Sequence, residues 1–218
     1  MVPPLAVDID GTLTRPDTSL DPRVIDPLRD WDAPVVVATG KAFPYPVALC
    51  AFLGIPANVV AENGGVVYVE AADELVHDGD PEGARAVGEA YSEAGHDLGW
   101  GAVDPVNRWR ETELAVSREQ PQELLERIAA DHGMQVFDTN YAYHVTATDV
   151  DKASGLRSAE AFVAVGDSEN DAAMFDAVGR SYAVANADDA ARAVADEVTD
   201  AGYADGFLEA VEHVRSAA

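Results

Sequence analysis

Lysine and cysteine are scarce in this chain of 218 residues, and each scarcity has a consequence. The one cysteine, Cys50, excludes an internal disulfide and suits a reducing compartment. Two lysines, Lys41 and Lys152, and 12 arginines stand against 40 acids, so the formal net charge is -26. A chain this acidic offers no basic face for nucleic acid, and we expect no nucleic-acid partner. Because the acids are spread along the chain, they favour a solvated shell like that of a salt-adapted, halophilic-type protein.

Long apolar runs are also missing. No stretch approaches the roughly 18 apolar residues of a membrane-spanning helix, and the N-terminus lacks a basic flank followed by an apolar run. Apolar residues nevertheless make up 48% of the chain, enough for a sizeable core. The sequence therefore predicts a cytoplasmic protein without a membrane partner, with one large domain or two small ones.

The most informative segment lies near the N-terminus and reads Val-Asp-Ile-Asp-Gly-Thr-Leu-Thr. It begins where the short apolar stretch Leu5–Val7, a predicted strand, comes to its end. Acids are poor strand formers, so Asp8 and Asp10 at a strand end indicate a site. Ligands of open α/β sheets gather at the carboxyl ends of strands. Such a pair can hold a divalent cation through oxygen, and one of the two carboxylates can act as a nucleophile.

Short apolar stretches alternate with helical patterns in the first and last thirds of the chain. Examples are the predicted strands Val35–Ala38, Asn58–Ala61 and Phe162–Val165. Strands that alternate with helices imply crossover connections and a parallel sheet, which is an α/β fold.

The middle of the chain has a different character. From about residue 78 to 150 it is polar and glycine-rich at first, and then mixes helices with strand candidates in an α+β pattern. We therefore predict one domain from residues 1–77 together with 151–218, and a second domain, 78–150, inserted into it.

Polar groups follow four of the predicted strands. They are Asp8 and Asp10, Thr39, Glu62 with Asn63, and Asp167 with Asp171. If the strands are neighbours in a parallel sheet, all four sets meet at one rim. The four aspartates would then form an all-oxygen cluster that suits Mg²⁺, and without a cation they would raise each other's pKa. Lys152, just before the last βα unit, would neutralise charge on these carboxylates and a bound dianion.

Each of these features alone has an ordinary structural explanation. Thr39-Gly40 is a common turn, and Glu62-Asn63-Gly64-Gly65 suits a hairpin turn because Asn-Gly favours positive φ. Asp171 alone suits a helix start, and Lys152 alone a solvated surface position. Their occurrence together and in this order, each near a strand end or helix start, favours a functional site.

With these motifs the chain resembles the haloacid dehalogenase-like phosphohydrolases. Their four motifs match Asp8-Ile9-Asp10-Gly11-Thr12, Thr39, Lys152, and Gly166-Asp167-Ser168-Glu169-Asn170-Asp171. The resemblance implies a Rossmann-like parallel-sheet core with an inserted α+β cap, similar to the family's second cap type. One departure stands out, because the stretch from Lys152 to Phe162 is shorter than in relatives by about two helical turns. The helix that carries Lys152 is therefore expected to be stunted.

The resemblance also implies a two-step hydrolysis of a phosphate monoester. In it, Asp8 is the nucleophile and Asp10 the general acid and base. Mg²⁺ is held by Asp8, the backbone carbonyl of Asp10, Asp167 and Asp171. Thr39 and the amide of Gly40 bind the phosphoryl oxygens, and Lys152 pairs with these oxygens and with Asp8.

Within the family, Asn63-Gly64-Gly65 and Asn107-Arg108-Trp109-Arg110-Glu111 look like the archaeal phosphoglycolate phosphatases, which are related to the sucrose-phosphate phosphatases. Arg108 and Arg110 are candidates to bind the carboxylate of such a substrate, because the guanidinium fork can bond both oxygens. Ordinary surface ion pairs would explain these arginines equally well.

Other functions remain open at this point. A sugar-phosphate phosphatase and a phosphomutase would use the same core. A third alternative is a module that binds a phosphate ligand and has lost catalysis. The expected partner in solution is a small-molecule phosphate ester, and a homodimer is left open.

Overall fold

The computed structural model describes residues 1–139, 141–156 and 162–217. Its strands are β1 (Leu5–Val7), β2 (Val35–Ala38), β3 (Asn58–Ala61), β4 (Val66–Val69), β5 (Glu74–His77), β6 (Leu114–Ser117), β7 (Met134–Asp138), β8 (Ala142–Ala147), β9 (Val163–Gly166), β10 (Arg180–Ala183) and β11 (Glu197–Val198). Its α-helices are α1 (Ile25–Arg29), α2 (Pro44–Leu53), α3 (Pro81–Glu93), α4 (Gln122–Asp131), α5 (Ala172–Ala177), α6 (Asp189–Val194) and α7 (Tyr203–Ala217).

The larger of two sheets has the strand order β11-β10-β9-β1-β2-β3-β4-β5. Strands β11 to β3 are parallel, and β4 and β5 extend the sheet as an antiparallel edge. In the centre, Ala6 of β1 is aligned with Val36 on one side and with Ala164 on the other. The α/β fold with a parallel-dominated sheet is thus confirmed.

Both faces of the central strands are buried, which explains why their sequences are continuously apolar. Leu5 and Val7 point into a core that includes Phe207 of α7. Ala6 points to the opposite face, where Phe175 of α5 packs. Because β1 ends at Val7, the next residue, Asp8, lies at the carboxyl edge of the sheet.

The smaller sheet has the order β6-β8-β7 and is antiparallel throughout. It has its own apolar core, in which Tyr91 of α3 and Leu125 of α4 pack against Val145 of β8. These elements all fall between residues 78 and 150. The domain boundaries at 77/78 and 150/151 stay a proposal, and the segment 78–150 is called the cap below.

Two sequence predictions fall partly outside the described residues. The predicted strand connection Asp138-Thr139-Asn140 includes residue 140. The stretch from Lys152 to Phe162, predicted to hold the stunted helix that carries Lys152, includes residues 157–161. The described part of that second segment, residues 151–156, forms a turn. Among the described residues, no helix is long and apolar enough to cross a membrane.

Candidate active site

The polar residues predicted at the strand ends lie at the carboxyl edge of the large sheet. Asp8 follows β1, Thr39 follows β2, Glu62 and Asn63 follow β3, and Asp167 follows β9. Strands β9, β1, β2 and β3 are consecutive neighbours in the sheet, so their ends meet at one rim. The predicted juxtaposition is therefore present in the structure.

Three carboxylates and one lysine form the centre of this rim. One carboxylate oxygen each of Asp8, Asp167 and Asp171 lies within 4.8 Å of the others, a set called the acid triad below. The Lys152 ammonium donates to Asp8 Oδ1 at 2.6 Å and to Asp171 Oδ1 at 2.7 Å. Lys152 is fully buried. The turn at residues 151–156 thus brings the lysine into the site despite the shortened segment that follows.

The acid triad carries more negative charge than Lys152 alone can offset. Burial raises the pKa of Asp8 to about 7, although the Lys152 ammonium acts in the opposite direction. Burial, with the negative charges of Asp8 and Asp171, raises the pKa of Asp167 well above its usual range. Burial alone would lower the pKa of Lys152, but the Asp171 and Asp8 carboxylates outweigh it and raise that pKa. A hard divalent cation with oxygen ligands fits this donor set and would supply the missing positive charge.

The loop after β9 holds Asp171 in place by backbone hydrogen bonds. Asp171 Oδ2 accepts from the amide of Asp167 at 2.9 Å and from the amide of Ser168 at 3.1 Å. On the other side of the triad, Gly11 has a φ of +80°, and a Cβ atom there would overlap the Asp167 carboxylate. The glycine of the first motif therefore makes room for an acid of the last one.

Asp10 lies beside the acid triad rather than in it. Its carboxylate pairs with the Lys41 ammonium at 2.8 Å, and its side chain is about 41% exposed. The side chain is therefore free to meet a ligand from the solvent side. The predicted metal ligand from Asp10 is its backbone carbonyl, not its carboxylate. This ligand stays a prediction.

A small chamber lies between this rim and the cap. Its walls are formed by Asp8, Asp10, Thr39, Gly40, Lys41, Arg110, Thr139, Tyr141, His144, Ser168 and Asn170. A larger cleft of about 790 Å³ adjoins it and shares Asp10, Lys41, Thr139 and Tyr141 with it. The chamber thus brings Asp8 together with the predicted phosphate-binding residues Thr39 and Gly40.

The two arginines predicted to read the substrate have different positions. Arg110 is buried at the chamber, donates to the Gly40 carbonyl at 2.8 Å and pairs with Glu113. Its Nε is buried and has no hydrogen-bond partner among the described residues. Burial lowers the pKa of Arg110 to about 10. Arg108 is exposed, with its guanidinium 5.4 Å from the ring centroid of Trp109, and does not line the chamber.

A buried polar network links the cap to the core, and sequence reasoning missed most of it. Glu113 accepts from Asn63 Nδ2 at 2.8 Å and lies 2.9 Å from His144 Nδ1. Asn63 Oδ1 accepts from Asn170 Nδ2 at 2.7 Å, and Asn170 Oδ1 accepts from the Ser168 hydroxyl at 2.7 Å. This network therefore runs from the cap to the loop that holds Asp171.

The turn after β3 does more than reverse the chain. Asn63 has a φ of +54°, as the Asn-Gly pair predicted, but its amide is the bridge of the network. The buried Glu62 carboxylate accepts from the amides of Glu111 and Thr112 at distances of 2.7–3.0 Å. This segment is therefore more than a structural hairpin turn, since the side chains of Glu62 and Asn63 both bind the cap.

One sequence signal points to the cap side of the network. In β8, Tyr143 and Val145 face the cap's apolar core, so the period of two places His144 on the opposite face. A buried histidine there needs a polar partner. Burial, with the nearby charges of Arg110, Lys152 and Lys41, lowers the pKa of His144 well below its usual range.

Comparison with known proteins finds relatives over nearly the whole chain. A family model described as haloacid dehalogenase-like hydrolase matches residues 5–91 and 105–211. A protein of Natronomonas pharaonis named phosphoglycolate phosphatase is 65% identical over 99% of this chain and 99% of its own. Proteins of the same name from Haloarcula marismortui and Methanosarcina mazei are 60% and 36% identical. These two alignments cover 98% and 97% of this chain and 97% and 96% of the relatives.

Solved structures share the fold over the same length. A crystal structure from Thermoplasma acidophilum has a TM-score of 0.83 at 27% identity and covers 99% of both chains. A haloacid dehalogenase-like hydrolase from Bacteroides thetaiotaomicron has a TM-score of 0.76 at 20% identity, covering 98% of this chain and 100% of that one. The second likeness concerns the fold alone. The family match and the close relatives confirm the resemblance seen in the motifs: the chain belongs to the haloacid dehalogenase-like hydrolases.

Proposed function

We propose that this chain is a magnesium-dependent phosphoglycolate phosphatase, which converts 2-phosphoglycolate and water to glycolate and phosphate. The observation that carries the proposal is Asp8, a buried carboxylate paired with Lys152 inside an acid triad at the chamber wall. The name shared by relatives at 54–65% identity supports the choice of substrate.

In the first step, an oxygen of Asp8 attacks phosphorus. An O–P bond to Asp8 forms, and the P–O bond to glycolate breaks. Asp10, which enters this step in its protonated form, gives its proton to the departing oxygen, and glycolate leaves. In the second step, Asp10 takes a proton from a water molecule that attacks phosphorus. The bond between Asp8 and phosphorus then breaks, and both aspartates return to their starting states.

The remaining rim residues bind and orient the phosphoryl group. We propose that Thr39 and the Gly40 amide contact its oxygens from the core side, and that Lys152 favours the ionised form of Asp8 and orients its carboxylate. Asp8, Asp167, Asp171 and the Asp10 carbonyl would hold Mg²⁺, which when bound offsets the negative charge on the phosphoryl oxygens.

Arg110 is the arginine that we propose for the carboxylate end of the substrate, because it lies at the chamber and Arg108 does not. Its buried Nε–H lacks a partner among the described residues and can donate to a substrate oxygen. Glu113 and the Gly40 carbonyl hold the guanidinium in position. The single buried cysteine and the small-metabolite substrate support a cytoplasmic location.

A panel of phosphate esters tests the proposed function. Phosphate release is measured with Mg²⁺ for 2-phosphoglycolate, glucose 6-phosphate and p-nitrophenyl phosphate. We expect kcat/KM for 2-phosphoglycolate to exceed the others by about tenfold or more, because a site built for a charged group rejects substrates without it. A higher kcat/KM for the sugar phosphate would favour a sugar-phosphate phosphatase. An isomeric sugar phosphate without free phosphate would favour a phosphomutase.

A further inference from the structure

Among the described residues, two cationic side chains line the chamber, Arg110 and Lys41. Lys41 is not part of the four family motifs, so they assign it no role. It follows the predicted phosphate-binding pair Thr39-Gly40 and lines both the chamber and the adjoining cleft. Of the basic side chains at these two cavities, Arg15 lines only the cleft and Arg110 only the chamber. Of these three cations, Lys41 is therefore the one that lines both cavities.

Lys41 lies next to Asp10, and this position suits it to contact the leaving group of the substrate. Its ammonium lies 2.8 Å from Asp10 Oδ2 and has further N–H groups to donate. In the proposed mechanism, Asp10 contacts the ester oxygen of the substrate. In 2-phosphoglycolate a single methylene group separates this ester oxygen from the carboxylate. When Asp10 contacts the ester oxygen, the carboxylate of the leaving group therefore comes close to Lys41, which pairs with Asp10.

Lys41 contacts the cap as well as Asp10 of the core. The Lys41 ammonium lies 5.6 Å from the ring centroid of Tyr141, a cation–π contact. Tyr141 is stacked on Trp100 at 5.9 Å between centroids, and the Trp100 indole donates to the Ala115 carbonyl at 2.9 Å. A lysine side chain has many rotamers, and these contacts reduce the number open to it. The cap thus aims the ammonium at the chamber.

We propose that Lys41 binds the carboxylate of the substrate from the core side, opposite Arg110, and so determines the preference for carboxylate-bearing phosphate esters. The inference rests on the proposed function. In a protein with a net charge of -26, a local cation at this point also counters the repulsion that a polyanionic substrate meets.

The test compares two substrates that differ only in the carboxylate, 2-phosphoglycolate and ethyl phosphate. The readout is the ratio of their kcat/KM values. We expect Lys41→Gln to lower this ratio by about 10- to 100-fold, because a charged hydrogen bond to the carboxylate is lost. Lys41→Arg keeps the charge and should retain most of the ratio. Arg15→Gln is the matched control, since it removes one positive charge from the adjoining cleft, where Arg15 pairs with Asp21.

The outcomes separate this inference from the proposed function. A wild-type preference for 2-phosphoglycolate that survives in Lys41→Gln would overturn the inference and leave the function standing. Equal losses on both substrates would also overturn it, because Lys41 would then act on a group common to both. A wild-type enzyme without preference would overturn both proposals. As a second variant, Tyr141→Leu should lower the ratio in the same direction, while Tyr141→Phe keeps the ring and the ratio.

Discussion

At the scale of single residues, the negative charge of the acid triad is only partly compensated by Lys152. Lys152 is shared between Asp8 and Asp171, so Asp167 has no buried cation of its own among the described residues. Burying ionised carboxylates without compensation is costly, and the pKa values of Asp8 and Asp167 rise as a result. The acid triad is therefore arranged for a positive charge that a ligand must bring.

This arrangement predicts a pH dependence of stability. Because the pKa of Asp8 is raised from 3.8 to about 7 in the folded state, the folded protein holds this proton where the unfolded chain has lost it. The free energy of unfolding should then fall as pH rises from about 4 to 7, by at most about 1.4 kcal/mol per pH unit for each such carboxyl. Denaturant unfolding in high salt with a chelator measures this slope.

Two controls isolate the triad in that experiment. Adding Mg²⁺ should flatten the slope, since a cation stabilises the ionised carboxylates. Asp8→Asn should also reduce the slope without metal, because one of the titrating carboxyls is gone. Identical slopes with and without Mg²⁺ would contradict the assignment of the triad as a cation site.

Residues tied to a motif could be predicted from the sequence, whereas those defined by a distant partner could not. Asp8 and Asp171 were found because they sit at a strand end and at a helix start with acids at fixed spacing. Lys41 was noted only as one of two lysines, because its meaning depends on Asp10 and on Tyr141 of the cap. Glu113 reads as an ordinary strand residue until Asn63 and His144 are brought beside it.

At the scale of elements, the turn after β3 connects the core to the cap through buried side chains. Glu62 binds the amides of residues 111 and 112, and Asn63 connects Glu113 to Asn170. Asn63→Gly removes the side chain and tolerates the positive φ. We expect it to cost about 1–3 kcal/mol of unfolding free energy. It should also lower kcat/KM for 2-phosphoglycolate by about tenfold or more, because small misplacements of a site are costly.

The matched control lies at the start of β3, the strand that leads into this turn. Asn58→Ala removes a hydrogen bond to the Val35 carbonyl inside the core, at the opposite end of β3. It should reduce stability without a comparable loss of kcat/KM. If both variants lose the same stability and the same kcat/KM, the Asn63 bridge has no specific role in the site.

The strands that carry the site were predictable because they are continuous apolar runs between turns. Two others were missed, β5 and β11. Strand β5 has no apolar run, and β11 has two residues at the sheet edge, so both exist through pairing with a neighbour rather than through local pattern. The docking of the cap was not predictable either, since it rests on side-chain hydrogen bonds between distant segments.

At the scale of the whole molecule, the acidic composition predicts a dependence on salt. Forty acids against 14 bases repel one another in the folded state, and salt screens this repulsion. The unfolding temperature should therefore rise between about 0.1 M and 2 M KCl. Circular dichroism melts measure it, with sorbitol as the uncharged control solute. An unfolding temperature that does not change with KCl would contradict the importance of this repulsion.

The central claim is that this molecule hydrolyses 2-phosphoglycolate through Asp8. The most direct measurement is mass spectrometry of the acid-quenched enzyme during turnover of 2-phosphoglycolate with Mg²⁺, after proteolysis. The account predicts one phosphoryl group on Asp8 of the wild-type enzyme. It also predicts that Asp8→Asn folds, stays unmodified and loses about 10³-fold or more in kcat. An unmodified Asp8 during rapid turnover, or an Asp8→Asn variant that still turns over at the wild-type rate, would contradict it.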